Sequence, residues 1–477
     1  MRRDTLELAD DSLFIERIKR TFTAADAELV IRAHAFLSEK ACAENSTAYK
    51  AALLLIEQEA DAVTVAAALL TPLLWQDCVD PSEIRERFGS TVAASIEDLC
   101  SPFIPTTDDR RLRRRDIHVI LSSIGSVPRK ALLFITFRLL VLQKAIGATG
   151  SRSRKMAQDT LDLLVPIADR LQLGDLRRRL EDACFRLLDP AGYERLKENV
   201  APIQAEDDKC LRILLAGVRR LLDNNGIEGR VQGRTKSLHG IRRKMARTGN
   251  PLPAIMDRIG LRVIVASVPE CYTVLGLLHA HFKPIPGTFD DYIGLPKDNG
   301  YQSLHTCVYP VREVSHKPIE FQVRTELMHM EAEHGTAAHW RYKSRPAAEA
   351  CDQYKTRWMQ GLVRQHATAD SPDMFIRLLH RQVFQGHVVV FGSGGRIVRL
   401  DENATVRDYL NIANARISED ALVKVNGRTV ALDLTLKDGD SIEVLADGDQ
   451  PIGGIDTCTN RGNGFDAAAS MHLLKED

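Results

Sequence analysis

Five stretches between residues 230 and 343 gather side chains that can bind or move phosphate. The first, GRTKSLHGIRRKM (233–245), holds Arg234, Lys236, Arg242, Arg243 and Lys244, with Arg230 just before it. On a strand, Arg234 and Lys236 share a face because side chains alternate. Lys244 follows about two helical turns on, if a helix starts near Ser237. Such a cluster can clamp several phosphates, since charge-assisted hydrogen bonds are the strong ones. A solvated basic face or an RNA patch has the same composition.

The second, KPIPGTFDDYIGLPKDNGYQSLHTCVYP (283–310), contains a Pro-Lys-Asp-Asn-Gly turn. Gly300 lets backbone approach a ligand closely, and the Tyr301 ring next to it can stack on a nucleobase. Lys297, Asn299, Gln302 and His305 add polar groups to the same loop and strand, more variety than a plain surface loop carries. The third, IEFQVRT (319–325), alternates: Ile319, Phe321 and Val323 on one face, Glu320, Gln322 and Arg324 on the other. An acidic residue beside an amide and an arginine suits a magnesium or hydroxyl site, although a half-exposed strand reads the same.

The fourth, AIMDRIGLRVIV (254–265), sets Asp257 at a strand entrance and Arg262 inside the strand. A carboxylate there suits a hard magnesium ion. A strict strand puts 257 and 262 on opposite faces. Both meet one ligand only if Gly260 allows a bulge or the strand begins later. The fifth, LMHMEAEHGTAAHWRYK (327–343), spaces His329 and Glu333 one helical turn apart, with His334 and His339 nearby. The HExxH pattern is absent and no thiolate is placed to help, so ordering the site or contacting phosphate fits better than zinc.

These stretches sit in a chain of 477 residues, enough for about three domains. Charge balances at 64 basic against 64 acidic residues, so a nucleic-acid partner would have to meet a local basic patch. Nine scattered cysteines with no CxxC pair argue against a disulfide framework or zinc ribbon and fit a reducing cytosol. The start turns acidic at once and lacks the apolar core of a signal peptide. The run ALLFITFRLLVL (131–142) contains Arg138 and falls short of the roughly 20 residues a membrane span needs, so it reads as a buried helix.

Residues 1–200 read as all-helical, from long apolar stripes at helical spacing. Pro202 and the acidic AEDD after it mark a boundary. Residues 201–345 change to an α/β or α+β pattern: a helix ending at Asn-Gly, then strands in GIEGRVQG, IGLRVIVA, SLHTCVYP and IEFQVRT, with helices around 269–281 and 326–343. Residues 346–385 read as a charged helical linker. Residues 386–447 read as a very small ββαβ-type domain, with hairpins across Gly-Gly and Asn-Gly. Residues 448–477, rich in Gly, Asp and Asn, read as disordered.

GRTKSLHGIRRKM, DRIGLR, FDDYIGLPKDNGYQSLHT, IEFQVRT and MEAEHGTAAHW resemble, in order, the synthetase motifs of the RelA/SpoT family of alarmone enzymes. The resemblance runs from about residue 10 to 447. It implies an HD-type helical hydrolase domain, a nucleotidyltransferase-like synthetase and a small β-grasp (TGS) domain. The implied reaction moves pyrophosphate from ATP to the 3′-hydroxyl of GDP or GTP, with AMP leaving. By the same resemblance Arg234 and Arg262 sandwich the adenine, and Lys236, Lys244 and Lys297 hold phosphates. Asp257 and Glu320 hold Mg2+, and Glu320 activates the attacking hydroxyl. Tyr301 stacks on guanine, with Asn299, Gln302, His305 and Gln322 around it. The basic motif departs from the family pattern at Ser237 and His239, where His and Tyr are usual. A non-catalytic nucleotide- or RNA-binding regulator is the alternative, and such a module has no need of both carboxylates.

The helical region departs further. Hydrolase-competent members bind manganese through a His, a His-Asp pair and a later Asp; here those positions hold Thr47, Thr71, Pro72 and Phe137. Trp75 and Gln76 replace an assisting Glu-Asp pair, and residues 1–200 contain only His34 and His118. A folded pseudo-hydrolase is expected, and an alarmone hydrolase is not. The resemblance admits a ribosome or tRNA partner. Against that, Asn414 stands where ribosome-linked members usually carry histidine, and the chain stops before the further regulatory domains of long members. No membrane partner is expected.

Thr288-Phe289-Asp290-Asp291 resembles the acidic pattern of synthetases without hydrolase activity at Asp290, though Thr288 lacks the expected Glu. A carboxylate near the guanosine phosphates repels an extra phosphate. At an effective dielectric of about 20, one charge a few ångströms away is worth up to a few kcal/mol before screening. Asp290→Lys is therefore expected to move a GDP preference toward GTP, read as the ratio of kcat/KM for the two acceptors. An unchanged ratio would place Asp290 too far from the phosphates to select between them.

Overall fold

The apolar stripes of the first two hundred residues become helices packed round one core in a computed structural model. It describes residues 11–40, 45–101, 114–125, 127–147, 150–249, 251–252, 259–312, 314–335, 346–384, 387–392, 396–401, 403–413, 422–437 and 439–445. Asp257, Asn414 and the tail 448–477 therefore lie outside the described residues. The chain divides into two compact units, Met1–Phe384 and Gln385–Asp477.

Helix Ala62–Trp75 is apolar nearly all round and almost wholly buried, as a central helix must be. Asp61 caps its first turn, accepting from the Thr64 N–H at 3.0 Å. Arg129, on helix Pro128–Ala145, pairs with the same carboxylate, Nη2 to Oδ2 at 3.0 Å. The segment expected to be a linker forms helices Pro346–Thr368 and Pro372–Phe384 and joins this core through Met359, Leu362, Phe375 and Leu379. His380 Nε2 also donates to the Asp162 carbonyl at 2.8 Å, inside the π-helical turn Thr160–Leu164, where main-chain bonding is irregular. The segment is no more charged than the rest of the chain. Met359 and Leu362 on one helix, and Phe375 and Leu379 on the other, recur at helical spacing on the side turned to the core.

No break occurs at Pro202. The long helix Pro190–Asn224 runs through it and ends where Gly226 takes φ +67°. Its last turns lay Leu211, Leu214, Val218 and Leu222 on a five-stranded sheet. That sheet contains β1 (Gly229–Thr235), β2 (Ile259–Val265), β3 (Asp290–Asp291), β4 (Leu304–Val308) and β5 (Ile319–Thr325), in the order β1-β2-β5-β4-β3. β2 and β5 run parallel and the other pairs antiparallel. Helix Val268–His281, with a Ser267–Glu270 capping box, covers the same face as the long helix.

The second unit has its own five-stranded sheet and core. It contains β6 (His387–Gly392), β7 (Arg396–Asp401), β8 (Leu422–Val425), β9 (Arg428–Val430) and β10 (Ser441–Leu445), in the order β7-β6-β10-β8-β9, with β6 and β10 parallel. Helix Val406–Ile412 lies between β7 and β8 in the chain and buries Val406, Tyr409 and Leu410. Among the described residues no helix is long and apolar enough to cross a membrane.

Leu379 is fully buried. Leu379→Ala should lower the stability of the larger unit by about 2–5 kcal/mol, the usual range for leucine truncation in a packed core. All three tryptophans lie in residues 1–384, so urea unfolding followed by tryptophan fluorescence reports on that unit. A loss below about 0.5 kcal/mol would mean that 346–384 is a linker after all.

Candidate active site

Strand register decides which side chains meet. Val231, Leu261, Val263, Phe321, Val323, Leu304 and Val308 enter the core beneath the sheet. Their neighbours stand on the other face. Cross-strand partners there form one row: Gln232, Arg262, Gln322, His305 and Asp290. The next row holds Arg234, Gly260, Glu320 and Cys307. Gly260 thus leaves a position with no side chain between Arg234 and Glu320. The pairing passes through Gly260 in unbroken register, so there is no bulge, and β2 begins at Ile259, after Asp257. The side chain of Arg234 lies outside the described ones.

The turn before β4 brings in the remaining polar groups. Gly300, at φ +82°, donates its N–H to the Lys297 carbonyl at 2.7 Å, a geometry a side chain would strain. Tyr301 donates its N–H to Asn299 Oδ1 at 3.1 Å. The Tyr301 hydroxyl and His305 Nε2 are 2.8 Å apart, and His305 Nδ1 lies 3.4 Å from Glu320 Oε1. Tyr301, His305 and Glu320 thereby form a connected line. The Tyr292, Tyr301 and His305 rings meet edge to face, and Lys297 Nζ sits 4.2 Å from the Tyr292 ring centre. Lys297 is exposed as a residue, yet partial loss of water round its ammonium lowers its pKa, against the pull of Asp290, Asp169 and Glu320. Gln302 donates to the Ile293 carbonyl at 3.3 Å, and Gln322 is buried.

Lys236 and Lys244 flank the start and body of the basic helix Leu238–Thr248. Ser237 caps it, accepting from the Gly240 N–H at 3.1 Å, and Asp182 accepts from the His239 N–H at 2.9 Å. Lys236 lines a cavity of about 190 Å³ with Asp182, Asp207, Gln204 and Ser237, against the long helix. Asp182 belongs to helix Gly174–Leu188, a brace that meets the basic helix and, through Arg178, Glu333. Its buried Glu181 lies 3.4 Å from Arg243 and 3.6 Å from His239 Nδ1. Arg242 stacks 4.4 Å over Phe185. Just ahead of the brace, Asp169 pairs with Arg177 and accepts from Asn299 Nδ2 at 3.3 Å. Backbone meets backbone there: a Cβ on Gly174 would lie 2.4 Å from the Ala332 carbonyl oxygen.

Glu333, on helix Glu326–His334, holds three arginines together. Its Oε1 is 2.9 Å from Arg262 Nη2 and 3.1 Å from Arg324 Nη2, and its Oε2 is 2.7 Å from Arg178 Nη2. His329 Nδ1 accepts from Arg324 at 2.8 Å. Burial first, then Arg324 and Arg262, push the His329 pKa down to about 3, so the ring is neutral and free to accept. No group of three or more potential metal ligands occurs among the described residues, and His329 and Glu333 serve arginines. The sequence had marked these two as a pair. It gave no sign of Arg178 or Asp169, whose partners lie more than a hundred residues away.

Residues 233–347 match the family model described as a region found in RelA/SpoT proteins. The chain belongs to the RelA/SpoT family. This RelA/SpoT chain is 34% identical over 396 residues to a guanosine-3′,5′-bis(diphosphate) 3′-pyrophosphohydrolase of Aquifex aeolicus, covering 83% of this chain and 56% of that protein. It is 27% identical over 446 residues to the GTP pyrophosphokinase rsh of Brucella ovis, covering 90% of this chain and 59% of the relative. It thus spans a little over half the length of these curated relatives. A solved small alarmone synthetase 1 from Bacillus subtilis, bound to its product pppGpp, is 25% identical over 36% of this chain and 95% of its own, at a TM-score of 0.26.

Proposed function

We propose that the chain is a (p)ppGpp synthetase, transferring pyrophosphate from ATP to the 3′-hydroxyl of GDP or GTP. The observation that carries this reading is the polar face of the first sheet. There Arg262, Gln322, His305 and Asp290 stand in one cross-strand row beside Glu320, within the RelA/SpoT-matching region. Arg234 and Arg262 take the adenine between them. Lys236, Lys244 and Lys297 hold phosphates. Tyr301 stacks on guanine, with Asn299, Gln302, His305 and Gln322 around it, and Asp290 faces the acceptor's phosphates. Glu320 receives the proton of the attacking hydroxyl, and its link to His305 holds it toward that side of the face. Catalysis of this kind is mostly positioning and neutralisation of developing charge.

A hard divalent cation fits the donor chemistry. Glu320 is a partly exposed carboxylate on an otherwise polar face, and Asp257 is the second carboxylate of the set. Magnesium held there supplies neutralising charge to the transferred group.

The helical region we read as an HD-type pseudo-hydrolase. Thr71 and Phe137 are fully buried. The Thr71 hydroxyl donates to the Ala67 carbonyl at 2.6 Å. The Trp75 and Phe137 rings pack 4.8 Å apart, and Trp75 Nε1 donates to the Leu99 carbonyl at 2.7 Å. Thr47, Thr71, Pro72 and Phe137 offer no ligand set that fits manganese. The second unit we read as a β-grasp domain of TGS type, on its parallel β6–β10 pair and the helix between hairpins.

Purified protein with labelled ATP, GDP and magnesium should give ppGpp on thin-layer chromatography. Glu320→Gln should cut that rate by roughly 100-fold or more, as losing a group aimed at developing charge does, with the fold intact by circular dichroism. Manganese-dependent release of pyrophosphate from ppGpp should be undetectable. Wild-type turnover in Glu320→Gln, or hydrolysis that vanishes on Phe137→Ala, would sink the assignment.

A further inference from the structure

Arg262 does not stand alone on its strand. Glu333 Oε1 takes its Nη2 and that of Arg324, while Oε2 takes Arg178 from the brace helix. Arg324 is 1% exposed, Arg262 9% and Glu333 11%, so the carboxylate turns in none of the directions a surface glutamate would. Arg178, 27% exposed, is the one guanidinium of the three contributed by the helical part, and Asp175 steadies it at 3.4 Å. Arg324 is buried too deeply to touch a ligand, and His329 Nδ1 accepts from the same Nη2 that meets Glu333. It works as a fixed post against which Glu333 is oriented.

A stacking arginine must offer its flat face, and an unrestrained guanidinium loses rotamer freedom on doing so. Fixing the group beforehand removes that cost from binding. We propose that Glu333 and Arg178 are positioning residues for Arg262: the carboxylate fixes the guanidinium plane presented to the adenine, and the helical part holds the carboxylate through Arg178. This rests on the synthetase reading, in which Arg262 meets ATP. It gives a helical region without hydrolase chemistry a definite task in synthesis, at the donor nucleotide and not at the acceptor.

The test is calorimetric titration of the full chain with α,β-methylene-ATP and, separately, with GDP. Glu333→Gln should weaken the ATP analogue roughly 10-fold or more, and Arg178→Met roughly 3- to 10-fold, as expected when preorganisation is lost. Arg178→Lys should recover part of that loss, and GDP affinity should stay within about twofold throughout. Should Glu333→Gln fail to fold, Arg178→Met decides alone. Analogue affinity unchanged in Arg178→Met, or equal weakening of both nucleotides, would leave the cluster a structural ion pair and overturn the proposal. Wild type that makes ppGpp while Arg178→Met binds the analogue normally defeats this inference only. Wild type that binds the analogue yet makes no ppGpp defeats the proposed reaction, and the split between the two nucleotides still judges the positioning role.

Discussion

Parallel pairing of β2 with β5, in register from Ile259–Ile319 to Val265–Thr325, is the constraint on which the rest depends. Slipping it by one residue would turn Phe321 and Val323 toward solvent and Glu320 and Gln322 into the core. The apolar set of both strands therefore locks the polar set in place. Leu261, Val263, Phe321 and Val323 are essentially inaccessible to water, and that burial determines where Arg262, Gln322 and Glu320 stand. Because β5 also pairs with β4, the same lock extends to His305, and through β3 to Asp290.

A polar face made this way is wide and shallow until something grips its edges. Helix Gly174–Leu188 does so at two places. Glu181 and Asp182 hold the basic helix, and Arg178 holds Glu333. Asp169, just before that helix, adds a hold on Asn299 in the turn. At Gly174 and at Gly335, where a Cβ would lie 2.1 Å from the Leu171 carbonyl oxygen, backbone of the helical part comes close to backbone of the sheet part with no room for a side chain. Within the helical part the Trp75 and Phe137 rings pack edge to face, 4.8 Å apart. Toward the sheet part it presents Arg178, Glu181 and Asp182 from one helix.

The strands were legible because alternation is a local signal: IEFQVRT, SLHTCVYP and the Asn-Gly hairpin of the second unit lie where their periodicity puts them. β1 starts at Gly229, a few residues into its expected stretch, since Gly226 at positive φ still belongs to the end of the long helix. Sheet order was not legible, because it is set by contacts between residues far apart in the chain. Two local signals pointed away from the structure. Pro202 marks no break, since a long helix packed along much of its length tolerates one missing hydrogen bond. The apolar residues of 346–384 reach the helical core, but helical spacing alone does not say which core a helix face meets. Glu333 was visible as a partner of His329 at helical spacing, but three arginines from three separate elements could not be assembled from spacing alone.

The central claim is that nucleotides meet the polar face of the first sheet and not the helical core. Amide hydrogen exchange, with and without α,β-methylene-ATP plus GDP and magnesium, tests it most directly. Added protection should fall on residues 229–248 and 292–305, with none in helices Asn45–Glu57, Ala62–Trp75 and Pro128–Ala145. Protection confined to those three helices, with 229–248 and 292–305 unchanged, would contradict the account.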